Sequence, residues 1–498
     1  MQLIPVLLVA IVLAAPMGVG RLDGYAVETS MTLAAVFTPL VVLMAFQWWV
    51  VRRCRRQVIL GQVRRGMRRL DRWDHRIRWL IVLHLAVVVF VYGWVDCVRT
   101  FTGDLVLVDE CAALLPSMLA LLGGWWWHYP LERLLRDAPL VRAMDTGRVW
   151  YHMPARATYV LQQARTHIML MLAPLLLIVG ANEAVTSLLA HTMTDAPPWV
   201  GELASVGATA TVFLFAPLLA RVVLAVEPIA SGELRDDLMN VCRAHNIGVR
   251  NILVWRTGGA MINAAVMGLI APLRYVMLTD GLLEQMERDQ VIAVMAHEIG
   301  HARRHHLPWM LVAMLGLLGA LSIGIGAILH GVGQLPIEWT EFSVAITELA
   351  AILVALIMAL LCFGWISRRF ERQADTFAAQ HISGMTRQSD EDARAITPAA
   401  VHSVAGALGS IAALNAVDPR RSNWRHGSIQ WRQEYLHSIA GKPILQLAID
   451  RLVRWVKIGA TVLFVVFAAY QWSIWSGPEA GASQEDSASP IVDSEDTP

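Results

Sequence analysis

Charge is scarce in this sequence. Only 16% of its 498 residues are Asp, Glu, Lys or Arg, against about a quarter in ordinary soluble domains. The 41 Lys and Arg are nearly matched by 40 Asp and Glu. No bulk charge is left to hold a polyanion, so nucleic acid is not an expected partner. Cysteine is also sparse. Cys54, Cys97, Cys111, Cys242 and Cys362 contain no C-x-x-C pair, which argues against a disulfide framework and a cysteine-built metal site. No internal repeat is visible. What is plentiful is apolar: 56% of residues are hydrophobic, 19 are Trp, and the mean hydropathy is +0.49.

The apolar residues fall into runs. A helix needs about 20 of them to cross about 30 Å of hydrocarbon. Runs of that kind lie at 3–19, 31–51, 79–95, 106–127, 168–190, 203–220, 309–331, 344–366 and 455–475. The chain therefore reads as a mainly α, polytopic membrane protein with about nine transmembrane helices. The first run lacks a basic n-region, and Pro16 follows Ala14 and Ala15 where a leader would be cut. A retained helix is favoured over a signal peptide. Asp109, Glu110 and Glu183 lie near the outer ends of their runs and are expected to snorkel.

Arginine sets the orientation. Residues 52–78 hold 11 Arg and 128–167 hold six, while the opposite loops hold only Arg21 and Arg99. The Arg-rich side is expected to be cytoplasmic, in contact with anionic lipid. Two mixed stretches, 227–308 and 367–453, fall on that side and read as two halves of one domain, interrupted by a hairpin at 309–366. The expected divisions are thus a membrane region at 1–226, the two halves with their hairpin, a last helix at 454–475, and a disordered tail at 476–498. That tail has six acids and no base.

The chemistry concentrates at 286–306, MERDQVIAVMAHEIGHARRHH. Val291, Val294, Met295 and Ile299 recur at helical spacing. On such a helix His297 and His301 leave one face, one turn apart, a good grip for a zinc ion at about 2.0–2.1 Å from each nitrogen. Glu298 falls beside them, placed to take a proton from water at the metal. This is the H-E-x-x-H pattern of zinc peptidases. Small Ala296 and Gly300 would let other elements approach.

A third donor is needed. One branch of such enzymes uses a His six residues beyond the second, after a Gly three beyond. Leu307 and Arg304 occupy those positions and exclude it. His305 is one turn too far to share the ion, and His305 and His306 are expected to be interfacial or solvated. The other branch takes a Glu from a second helix. In 365–379, WISRRFERQADTFAA, Glu371 and Asp375 are four apart. Glu371 could ligate, with Asp375 fixing the tautomer of a ligand His. The ordinary alternative is an exposed helix laced with charges, since Arg368 and Arg372 are also four apart.

HEIGH at 297–301, a hydrophobic hairpin, then SRRFERQAD at 367–375 resembles the integral-membrane zinc metallopeptidases of the HtpX and CAAX prenyl endopeptidase group. The resemblance covers about 230–440. It implies a zincin-like α+β catalytic domain, one zinc per chain on His297, His301 and Glu371, Glu298 as general base, and Asp375 behind the ligands. INAAVMG at 262–268 and RYVMLTDGLL at 274–283 also resemble the group. They imply two strands either side of Ala271-Pro272, with Asn263 and Ala264 on an edge that binds substrate backbone. His426-Gly427-Ser428 with Arg432 resembles the group's His-Pro-Ser and Arg, with Gly427 departing from the usual Pro. It implies that His426 helps bind the substrate carbonyl, with Arg432 nearby in the substrate site. No residue-level match is seen in 1–226.

The expected function is a zinc endopeptidase of a bacterial inner (plasma) membrane, facing the cytoplasm. Its substrates would be membrane proteins or polypeptides at the bilayer surface, for quality control or for dedicated processing. The sequence does not specify an oligomeric state. The competing reading is a transporter or sensor with a structural zinc site, which would have no use for a free carboxylate at Glu298.

Overall fold

The computed structural model describes residues 3–15, 28–103, 105, 107–137, 153–193, 197–334, 341–384, 395–444 and 447–475. The acidic tail at 476–498 lies outside them. The helices, in chain order, are α1 (Leu3–Leu13), α2 (Thr29–Ile59), α3 (Val63–Phe90), α4 (Trp94–Thr102), α5 (Val108–Asp137), α6 (Arg156–Thr192) and α7 (Pro198–Val223). Then come β1 (Val226–Pro228), α8 (Glu233–Ala244), β2 (Asn251–Trp255), β3 (Ala264–Met267), β4 (Tyr275–Thr279) and α9 (Asp280–Gln285). The chain continues with α10 (Arg288–Arg303), α11 (His306–Gly333), α12 (Glu341–Ile382), α13 (Pro398–Leu414), α14 (Ile429–Ile439) and α15 (Ala448–Trp475). They divide into two units. One is Met1–Ile229 with Val249–Asn263 and Ile270–Gln285. The other is Ala230–Gly248 with Ala264–Leu269 and Met286–Pro498.

The first unit is a helical bundle with a small mixed sheet. Leu8 and Val12 of α1, and Ile77, Ile81, Leu85 and Val88 of α3, recur every three or four residues and bury one stripe of each helix in a common core. A second cluster joins Val50, Cys54 and Val58 of α2 to Leu131 of α5. At 31 residues α2 is about 46 Å long, so its Arg-rich end runs past about 30 Å of hydrocarbon. The α3–α4 pair bends by 70° at Gly93, whose φ of +62° is the left-handed conformation glycine adopts freely. In the sheet β1 is antiparallel to β2, and β2 is parallel to β4 with Asn251 opposite Tyr275.

Among the described residues seven helices are long and apolar enough to cross a membrane: α2, α5, α6, α7, α11, α12 and α15. The bent α3–α4 pair makes an eighth if it is one crossing. The run expected at 3–19 forms the 11-residue α1, about 16 Å long, with 16–27 outside the described residues. So nine expected runs stand as seven helices, a bent pair and a short helix. Asp109 and Glu110 also differ from expectation. They are buried, not snorkelling, because Arg99 reaches back from α4 and its Nε donates to Asp109 Oδ2 at 2.6 Å.

The second unit is built on α10, α11, α12 and α15. Ala313, Gly316 and Gly319 put small residues on one side of α11. A Cβ at Gly316 would stand 2.8 Å from the backbone nitrogen of Phe464, and one at Gly319 would enter the ring of Phe467. Small residues let membrane helices approach this closely. The helix α12 has 42 residues, about 63 Å, so the apolar rod and the segment carrying Glu371 are one unbroken helix. Thr397 caps α13 by accepting from the Ala400 amide at 3.2 Å, and Ser428 caps α14 by accepting from Trp431 at 3.2 Å.

Candidate metal centre

Two helices make the site. On α10, Val291, Val294, Met295 and Ile299 are buried as the periodicity expects, together with Ala296 and Gly300. Facing them on α12 are Ala374, Phe377 and Ala378, also buried. A Cβ on Gly300 would lie 3.0 Å from the Phe377 ring. Small residues on both helices therefore permit a close crossing. That crossing brings the α10 histidines to the α12 carboxylates.

His297, His301 and Glu371 converge, each offering one donor atom within 4.8 Å of the others. The two Nε2 atoms are 3.2 Å apart, His297 Nε2 is 3.6 Å from Glu371 Oε2, and His301 Nε2 is 3.8 Å from Glu371 Oε1. Tetrahedral zinc with donors at about 2.0–2.1 Å sets them about 3.3–3.4 Å apart. The two Nε2 atoms stand close to that separation, and each is a few tenths of an ångström beyond it from one or other Glu371 oxygen. Both imidazoles are also held from behind. His297 Nδ1 is 2.9 Å from Asp375 Oδ1 and His301 Nδ1 is 2.8 Å from His306 Nδ1, which turns both Nε2 lone pairs to the common point. Three carboxylates, Glu298, Glu371 and Asp375, act together on the buried Arg432 guanidinium. A divalent cation would balance the formal excess of negative charge. The residues fit the metal.

The carboxylates are braced. Arg432 is buried, and its Nε and Nη2 donate to the two oxygens of Asp375 at 2.8 and 2.6 Å. Its Nη1 lies 3.1 Å from Glu371 Oε2. The sequence-based expectation put Arg432 in the substrate site. The structure pairs it with Asp375 and Glu371, because two buried carboxylates without a cation between them would be costly. Burial pushes the His301 imidazole down to about 4, leaving a neutral ring with a free lone pair. At His297 burial also pushes down, but Asp375 outweighs it and the net shift is upward. Burial raises the Glu298 carboxyl, with His297 opposing.

Glu298 Oε2 accepts from the Val266 amide of β3 at 3.3 Å. The two runs around Ala271-Pro272 do form strands, β3 and β4, with a 3-10 turn at Ala271–Leu273 between them. Ala264 opens β3. Asn263, in the first unit, has an exposed side chain, while its backbone N–H donates to Thr279 Oγ1 at 3.0 Å. His426 is half-exposed, and its Nδ1 lies 2.7 Å from Glu371 Oε1. It sits in the 423–427 loop, closed by paired backbone bonds between Asn423 and Gly427. Gly427 has φ of +74°, a conformation closed to proline. The departure from His-Pro-Ser is thus a change of backbone as well as of residue.

His306 corrects the expectation of a solvated or interfacial ring. His305 is exposed, but His306 is 4% exposed, wedged between His301 and Gln373 and stacked on Phe370. Helical phase along α10 hides it, because the helix stops at Arg303 and His305 turns left-handed with φ of +55°. The available cue was Pro308. A proline in a first turn marks a new helix starting just before it.

Residues 232–420 match Peptidase family M48. The chain is 28% identical over 160 residues to the Protease HtpX homolog of Nitrosomonas eutropha (strain DSM 101675 / C91 / Nm57), covering 31% of this chain and 53% of that one. It is 27% identical over 152 residues to Protease HtpX of Xanthomonas axonopodis pv. citri (strain 306), covering 30% and 51%. The match thus spans about half the length of these curated relatives. A crystal structure of S. mikatae Ste24p superposes with a TM-score of 0.47 at 16% identity, over 83% of this chain and 100% of that one. Over residues 232–420, under half of its length, the chain is thus similar to Peptidase family M48, and part of that stretch to proteases of the HtpX type.

Proposed function

We propose that the chain is a membrane-embedded zinc endopeptidase. The observation that carries this is the triangle of His297, His301 and Glu371 donors, with the free carboxylate of Glu298 on the same turn. Zinc bound there supplies a Lewis acid that polarises a peptide carbonyl and lowers the pKa of water. Glu298 takes the proton of the attacking water and passes it to the leaving amine. His426 donates through Nδ1 to Glu371, so its Nε2 carries a proton toward the developing oxyanion only in the doubly protonated ring. Asn263, Ala264 and the β3 edge take the substrate as an added strand.

Three donors support catalysis over a structural zinc site in a transporter or sensor. Structural sites are closed by four protein ligands, and among the described residues only these three gather. The substrates are membrane proteins or polypeptides held at the bilayer, in quality control or processing. The membrane is a bacterial inner membrane. If α3–α4 is one crossing, four crossings separate 52–78 from 227–305, which gives both the same side of the bilayer. The arginine bias then makes that side cytoplasmic.

The deciding experiment pairs wild type with Glu298→Gln, both loaded with zinc and offered an unfolded polypeptide such as casein in detergent. Wild type should cleave it and lose activity to a chelator. Glu298→Gln should keep its zinc and be at least about a hundredfold slower. Equal rates would remove Glu298 as the base, and a wild type without zinc would remove the metal reading.

A further inference from the structure

We propose that His306 is a positioning residue for the metal ligand His301, in an ordered hydrogen-bond chain that ends on Asp450 at the start of α15. The inference rests on the zinc reading above. If His301 binds the metal through Nε2, its one remaining proton is on Nδ1. The atom facing it, 2.8 Å away, is His306 Nδ1, which must then accept. That fixes the proton of His306 on Nε2, which donates to Gln373 Oε1 at 2.9 Å. The carbonyl end of Gln373 being used, its amide nitrogen donates to Asp450 Oδ1 at 2.6 Å. A carboxylate accepts there, so the Gln373 orientation and the His306 tautomer are set from the far end of the chain as well as from the metal.

The surroundings hold this arrangement. The His306 ring lies flat on Phe370, with centroids 4.4 Å apart and planes within 5°. The left-handed turn at His305 folds the first residue of α11 back under α10. Arg304 Nη2 is 3.5 Å from the same Asp450 oxygen, and Lys457 of α15 donates to the Arg304 carbonyl at 2.8 Å. Helices α10, α11, α12 and α15 are thus joined at the metal's back. The two ligand histidines are supported differently: His297 directly by a carboxylate, His301 by a neutral ring two links from one.

The test is zinc affinity, measured on the full chain by competition with a chromophoric chelator. His306→Ala should weaken zinc about 10–100-fold, the usual loss when such a partner is removed. His306→Asn sets an amide oxygen near the place of Nδ1 and should recover most of it. Gln373→Leu, which touches no ligand, should give a smaller loss. With Co2+ in place of zinc, the visible bands should shift in His306→Ala and return toward wild type in His306→Asn. If His306→Ala misfolds, wild-type affinity in Gln373→Leu overturns the proposal by itself. Wild-type affinity in both His306→Ala and Gln373→Leu, or an Asn variant no tighter than Ala, overturns the proposal. A wild type that binds no zinc overturns the metal reading itself.

Discussion

The ring of Phe377 stands 3.0 Å from the point a Cβ on Gly300 would occupy. At the α10–α12 crossing a side chain at residue 300 would therefore have to push Phe377 back by a few tenths of an ångström. In an unobstructed helix Gly→Ala stabilises by about 1 kcal/mol. Overpacking here costs about 1–3 kcal/mol. Gly300→Ala should thus fail to stabilise, and Gly300→Val should lower the unfolding temperature and the zinc content together, by moving Glu371 away from the histidines. A Gly300→Val protein with full zinc would show that the crossing does not set the site.

Among the described residues Arg432 pairs with both Asp375 and Glu371. Removing one partner of a buried charge group costs about 3–5 kcal/mol, so Arg432→Leu should be strongly destabilised in denaturant titrations. Arg432→Lys keeps the charge but not the fork on Asp375, and should fall between. A Leu variant as stable as wild type would return Arg432 to a substrate role.

His245 gives a pH signature. It is buried, and its Nε2 lies 2.9 Å from His381 Nδ1. Burial, with His381 and Arg303 adding, pushes its imidazole down to about 4, against about 6.5 unfolded. The unfolded chain then binds the extra proton. The contribution is present above about pH 6.5 and is lost as pH falls to about 4, up to about 3 kcal/mol. Unfolding measured from pH 7.5 to 4.5 should show a shallower loss in His245→Leu than in wild type. Parallel curves would rule His245 out.

The parts of the site read in advance are those that local geometry dictates. The spacing of His297 and His301 fixes their common face on any α-helix, and the structure keeps it. Glu371 is open on its own spacing, because an exposed charged helix has the same pattern, and it is the preceding H-E-x-x-H that favours a ligand. Arg432 was picked out by type, yet its place depends on what is buried around it. His306 was missed because phase is lost at a helix break made by His305, with no glycine to mark it. The membrane runs were legible as hydropathy. The bend at Gly93 was not, since hydropathy is blind to a backbone turn between two apolar helices.

On the peptidase reading proposed above, the α12 rod has one consequence for where a substrate chain would be cut. Its apolar run closes at Ile366, and Glu371 follows five residues later on the same helix, about 7–8 Å farther along the axis. Helical rise therefore acts as a depth gauge. An extended peptide covers about 3.3 Å per residue, so the bond that reaches Glu298 should lie some two or three residues clear of the hydrocarbon. Reporters with one membrane anchor and a cleavable stretch moved outward stepwise should be cut most readily near that offset. Equal cutting at every offset would mean that the bilayer does not measure the substrate.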